Sequence, residues 1–146
     1  MGLSRASIYS NINRFISNDN NESVRVAAII ILGRYIYEGV EAEIDSDWES
    51  YWQTIEIIDK ESFLKVKNYL LKLINDKTSS IKIKRHAVEA ISFLYEPKII
   101  DIIYHTYNHP DERMKISALF SMGRNANTRF ENIILKELDN PNYKIK

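Results

Sequence analysis

The chain has 146 residues, enough for one domain or a few repeats of a stacked array. Hydrophobic residues make up 45% and charged residues 27%, ordinary values that exclude a disordered or fibrous chain. Lys and Arg number 20 and Asp and Glu number 20, so no net field draws the chain to nucleic acid or membrane, and with no Cys there is neither a disulfide nor a thiolate metal site.

Apolar periodicity predicts helices nearly throughout. Ile8, Ile12, Phe15 and Ile16 form one stripe on a first helix, and Asn18 to Asn21 break it with turn and capping residues. A second helix, apolar on most sides, is expected from Ser23 to Tyr37, with Gly39 just beyond as a left-handed stop. A short helix from Asp47 to Ile58 follows, then one from Glu61 to Ile74 that turns Phe63, Val66, Leu70, Leu71 and Ile74 inward. After the polar loop from Asn75 to Ser80 comes a helix from Ile81 to Tyr95. Pro97 suits the first turn of the next, which runs to Tyr107. The last two are expected from Glu112 to Met122, with Gly123 as its end, and from Thr128 to Leu138.

One signature opens several of these helices. It reads Val24-Arg25 with Ala28, Leu32 and Gly33; then Ile83-Lys84 with Ala87 and Ser92; then Met114-Lys115 with Ala118, Met122 and Gly123. Tyr143-Lys144 begins a fourth copy. Successive starts lie 59, 31 and 29 residues apart, so the period is near thirty with two periods in the first interval. A fixed period of this size indicates stacked helical repeats. The small alanines are expected to sit in equivalent buried positions, with Val24, Ile83 and Met114 filling the layer between repeats.

These residues resemble HEAT repeats of the phycobilin-lyase-like type, found in bacterial multi-repeat proteins of unassigned function. The resemblance rests on turns that carry Asp19, Asp76, Asp111 and Asp139, the apolar-basic pairs above, and the endings Leu32-Gly33-Arg34 and Met122-Gly123-Arg124. It implies an all-α fold, a right-handed α-solenoid (α-α superhelix) of three to four HEAT-like helix pairs, forming one domain over residues 1–146. Ser92 stands where the pattern has Gly, and the acidic segment 38–59 fits the repeat poorly.

Candidate chemistry is sparse. His105 and His109 have the four-residue spacing of zinc ligands, but no Glu and no Cys accompany them, and His86 stands alone on an apolar helix, so no metal is expected. No carboxylate pair or nucleophile sits in a motif, and glycines are too few for a phosphate loop, so neither catalysis nor a cofactor is expected. Arg25, Lys84 or Arg85, and Lys115 are expected to pair with turn aspartates or helix-end carbonyls rather than form a ladder for an anion. Charge is segregated: residues 38–59 carry eight acidic residues and no Lys or Arg, whereas residues 60–86 carry eight basic residues against Glu61 and Asp76. Trp48, Tyr51 and Trp52 lie in the acidic part, as interface anchors or as core.

The expected function is a non-catalytic protein-interaction scaffold in the cytoplasm, with no membrane span or signal peptide. The expected partner strip comprises Lys65, Asn68, Lys72, Asp101, His105, Asn132 and Lys136, on the second helices of the pairs. Its mixed sign fits a protein partner. The alternatives are a nucleic-acid-binding or repair protein of HEAT-like build, which zero net charge disfavours, and a phycobilin-lyase-like chromophore-handling subunit, which rests on fold analogy. Neither end of the chain reads as a polar cap. The chain is therefore expected to be a segment of a longer solenoid, or to associate end to end through Ile8, Ile12, Leu135 and Tyr143.

Overall fold

A computed structural model of the chain describes residues 21–44 and 60–142, and the side chains of all of these except 41–44. The described residues form six α-helices and one 3-10 turn, with no strand among them. In chain order these are α1 (Glu22–Ile44), α2 (Lys60–Asn75), α3 (Ile81–Ile91), α4 (Pro97–Tyr107), α5 (Glu112–Asn125), the 3-10 turn (Thr128–Phe130) and α6 (Glu131–Leu138). None of the helices is long and apolar enough to cross a membrane.

The three helices that open with the repeated signature pack side by side: α1 against α3, and α3 against α5. The others fill the flanks. Helix α2 packs on α3 and more lightly on α1, α4 packs chiefly on α5, and α6 rests on α5. Each row helix after the first thus lies against both the preceding row helix and the helix that leads into it. Ala28, Ala87 and Ala118 are all buried, as their equivalence requires. Around them close Ile29, Leu32, Ile36, Leu70, Ile83, Ile91, Ile99, Ile103, Met122 and Phe130. At roughly 1.5–3 kcal/mol for each fully buried large apolar side chain, this core is the main source of stability. Val24 departs from expectation. It is 40% exposed, whereas Ile83 and Met114 are 1% and 5% exposed. The latter two belong to helices with a row helix before them, and among the described residues α1 has none.

Local chemistry sets the helix ends. The Asn21 side chain accepts the Ser23 N–H at 2.9 Å at the start of α1. Ser80 Oγ caps α3 by accepting the Ile83 N–H at 3.2 Å, and Asp111 caps α5 by accepting the Arg113 N–H at 2.9 Å. Pro97 occupies the first turn of α4, as expected. Two ties of one kind join later turns to the row. Ser80 Oγ donates to Glu22 at the N-terminus of α1, and Asn142 Nδ2 donates to Glu112 at the N-terminus of α5.

Three helix boundaries differ from the sequence reading, each for a packing reason. Helix α1 continues through Gly39 to Ile44, and Gly39 has no left-handed backbone. A side chain there would put its Cβ 2.5 Å from the Phe63 ring, so glycine at this point admits α2 rather than stopping α1. Helix α3 ends at Ile91 rather than Tyr95. Ser92 Oγ folds back onto the Glu89 carbonyl at 2.8 Å, and Glu96, which precedes Pro97, is extended. Helix α5 passes Gly123 and ends at Asn125; the left-handed residue is Ala126, with φ 55°. The expected helices at Ile8–Ile16 and Asp47–Ile58, with Trp48, Tyr51 and Trp52, and the fourth copy from Tyr143 lie outside the described residues.

Candidate binding groove

Because α1, α3 and α5 pack in register, side chains at equivalent repeat positions come together. Six residues after each signature start stand Ile30, Glu89 and Phe120; ten residues after stand Arg34, Phe93 and Arg124. These six line one open groove of about 520 Å³, with Tyr37, His86 and Ala90 among its other walls. Ile30 is 56% exposed, Tyr37 41% and Phe120 52%, so the groove offers apolar and aromatic surface to solvent. Contiguous exposure of this kind marks interaction surfaces.

Arg124 holds the centre. Its guanidinium lies 4.6 Å from the Phe93 ring centre and 4.3 Å from that of Phe120, and Nη1 donates to the Glu89 carbonyl at 2.9 Å. Loss of hydration lowers its pKa, and the nearby Glu89 carboxylate opposes that shift. Tyr37 also meets Phe93, with ring centres 4.8 Å apart and planes tilted. Each cation-ring contact is worth about 0.5–2 kcal/mol according to its exposure, so the aromatics are held in place before any ligand arrives. Arg34, whose side chain is 78% exposed, pairs with Glu38 at 3.0 Å across one helical turn at the rim.

Polar groups adjoin the groove. Glu89 accepts from the buried Ser117 hydroxyl of α5, and its other oxygen lies 3.2 Å from His86 Nδ1. Ser117 Oγ also accepts from Arg85 Nε at 2.9 Å. With its proton given to Glu89 and its oxygen occupied by Arg85, Ser117 joins α3 to α5 and is not set up as an attacking group. Nearby, the fully buried Asn125 donates through Nδ2 to the carbonyls of Ser92 and Leu94, at 2.8 and 3.0 Å. These bonds satisfy the carbonyls left free where α3 stops.

A second polar cluster lies between α4, α5 and α6. Buried Glu137 pairs with Lys115 at 2.8 Å and accepts from the Tyr107 hydroxyl and from Asn140. Lys115 first, then Tyr107, hold the Glu137 carboxyl down to about 2. Burial first, then Glu137, pushes the Tyr107 phenol up to about 12. The basic residues of the signature thus have different fates. Lys115 meets a helix carboxylate and Arg85 a serine, which corrects the expected pairing with turn aspartates and carbonyls; Lys84 lies near Asp76 and helps lower its pKa, behind the Thr78 hydrogen bonds. Arg25 Nε is buried and has no hydrogen-bond partner among the described residues.

All seven residues of the expected partner strip are exposed: Lys65, Asn68 and Lys72 on α2, Asp101 and His105 on α4, and Asn132 and Lys136 on α6. Lys65 pairs with Glu61, and Asp101 lies 3.6 Å from Arg129. None of the seven lines the groove, which belongs to the row helices instead. The zinc spacing of His105 and His109 is not realised on one helix. His109 lies beyond the end of α4, and its Nδ1 accepts the Asp111 N–H at 3.0 Å. Among the described residues no cluster of three or more His, Asp or Glu is placed to hold a metal.

Sequence reasoning missed the groove although its signal was present. The Arg34, Phe93 and Arg124 register follows directly from aligning the three signatures and reading one position past the Gly-Ser-Gly column. No known protein family, curated protein or solved structure matches this chain.

Proposed function

We infer that the chain is a non-catalytic protein-interaction module, a right-handed HEAT-like solenoid that binds a partner polypeptide in the groove of its row helices. The observation that carries this reading is the open groove in which Arg124 is clasped between Phe93 and Phe120 beside exposed Ile30 and Tyr37. Aromatic residues and arginine are the side chains that most often dominate binding energy at protein interfaces. Glu38 and Glu89 stand beside Arg34 and Arg124, a balance of sign that suits a peptide better than a phosphate backbone. The side-by-side packing of the signature helices supports the repeat reading, because the small residue of each copy is buried.

The test is selection from a phage-displayed random peptide library against the wild-type chain, with Phe120→Ser as the counter-target. The reading expects peptides whose affinity falls about tenfold or more on Phe120→Ser, a loss typical of a central interface residue. A selection that yields no binder, or binders indifferent to Phe120, contradicts it.

A further inference from the structure

We propose that the groove selects a peptide carrying a single carboxylate beside a large apolar side chain, with Arg34 as the partner of that carboxylate. This specificity rests on the reading that a polypeptide binds the groove. The two outer walls carry the same pair of residue types. On α1 Ile30 precedes Arg34 by one helical turn, and on α5 Phe120 precedes Arg124 by one turn. The arginines hold one repeat position but are engaged differently. Arg124 has the Phe93 and Phe120 rings at 4.6 and 4.3 Å, and its Nη1 donates to the Glu89 carbonyl at 2.9 Å. Among the described residues Arg34 has no ring contact, and only its Nε is engaged, by Glu38 at 3.0 Å. Its side chain is 78% exposed. The edge formed by Nη1 and Nη2 is left open, and that edge takes a carboxylate through two parallel hydrogen bonds.

The acceptors of the groove are already engaged. Glu38 accepts from Arg34, and its other carboxylate oxygen is buried. Glu89 accepts from Ser117 through Oε1, and its Oε2 lies 3.2 Å from His86 Nδ1. The two carboxylates are only 23% and 20% exposed. The groove therefore shows a ligand mainly guanidinium donors and apolar surface, although its formal charges balance.

An open donor edge beside engaged acceptors matches a group that only accepts, and the ionised carboxylate is the peptide side chain of that kind. A lysine or arginine on the ligand would meet carboxylates that already have partners. Glu38 and Glu89 repel a doubly charged phosphate more than a singly charged carboxylate. The apolar neighbour follows from the helix: Ile30, 56% exposed, lies one turn from Arg34 on the same face, within reach of the residue next to the carboxylate.

Fluorescence polarisation with two heptapeptides, fluorescein-labelled at the N-terminus and amidated at the C-terminus, tests this. Leu and Phe flank the central residue, which is Glu in one peptide and Gln in the other, and Ser and Gly fill the remaining positions. The wild-type chain is expected to bind the Glu peptide about tenfold more tightly than the Gln peptide. Arg34→Gln is expected to abolish that preference and to leave the affinity for the Gln peptide unchanged, which also shows that the variant is folded. Phe120→Ser is expected to weaken both peptides. Equal affinity of the wild type for the two peptides, with both still weakened by Phe120→Ser, overturns the carboxylate specificity alone and leaves the groove reading standing. A preference that survives Arg34→Gln, or tighter binding when phosphoserine replaces the central Glu, overturns it in the same way. If replacing Asp45, Asp47 and Glu49 by their amides raises the affinity for the Glu peptide tenfold, the chain's own carboxylates hold Arg34 and a separate ligand is ruled out. Absence of binding by either peptide overturns this specificity together with the reading it rests on.

Discussion

Gly33 of α1 sits so close to Ala90 of α3 that a Cβ on the glycine would lie 2.9 Å from the Ala90 Cα and 3.0 Å from its Cβ. This contact limits how closely the first two row helices approach at that point. Glycine inside a helix costs about 0.5–1 kcal/mol relative to alanine, so the close approach offsets a real local cost.

Gly33 and Gly123 should therefore respond oppositely to substitution, although they hold the same repeat position. Gly33→Val is expected to overpack the α1–α3 crossing and lower stability by about 1–3 kcal/mol. Gly123→Ala meets open space within a helix and is expected to raise stability by a few tenths to about 1 kcal/mol. Urea denaturation of both variants checks the pair. Equal effects would show that the two glycines do not play these different parts.

Ala118 is wholly buried in α5, at the position also held by Ala28 and Ala87. Ala118→Leu is expected to cost about 1–3 kcal/mol by crowding the row. A thermal melt that shows no loss would contradict this placement.

Asn125 satisfies two carbonyls at the point where α3 stops short of its apolar pattern. Asn125→Leu keeps the volume and removes both donors. Leaving a buried acceptor unpaired costs about 1–3 kcal/mol, so a loss of that order or somewhat more is expected in urea denaturation. Hydrogen exchange should accelerate first in residues 92–96. Unchanged stability would mean that water replaces the side chain at both carbonyls.

The Glu137 cluster predicts a pH window. Glu137 is held down to about 2, so its contribution is complete above the ordinary carboxylate range and is lost as pH falls toward 2. Tyr107 is pushed up to about 12, so its contribution is complete below its ordinary value of 10.0 and is lost as pH rises toward 12. Wild type should exceed Glu137→Gln in stability most strongly between these limits. The difference should narrow in acid. Urea midpoints for both chains across pH measure it, and a gap that widens in acid would contradict the assignment.

The all-helical character of the described residues was legible in the apolar periodicity of the sequence. The signature placed Ala28, Ala87 and Ala118 at one buried position, and turn chemistry placed the start of α4 at Pro97. The helix ends were less legible, because Gly39 and Gly123 have the residue type of a stop but not its conformation. Whether a glycine ends a helix or admits a neighbour depends on what packs there, and Phe63 comes from a distant part of the chain. The groove was hidden for a related reason. Ile30, Phe93 and Phe120 read as core on single helices; only the lateral packing of α1, α3 and α5 turns them into one solvent-facing surface. Buried Asn125 and Glu137 could not be told from surface polar residues, since their partners lie about thirty positions away.

The central claim is that partners bind the row-helix groove, and amide chemical-shift mapping with a library-selected peptide tests it most directly. The account predicts that shifts concentrate at Ile30, Tyr37, Phe93, Phe120 and Arg124 and vanish in Phe120→Ser. Shifts centred instead on Lys65, Asn68, Lys72, Asp101, His105, Asn132 and Lys136, with the groove unmoved, would contradict it and return the interface to the flanking helices.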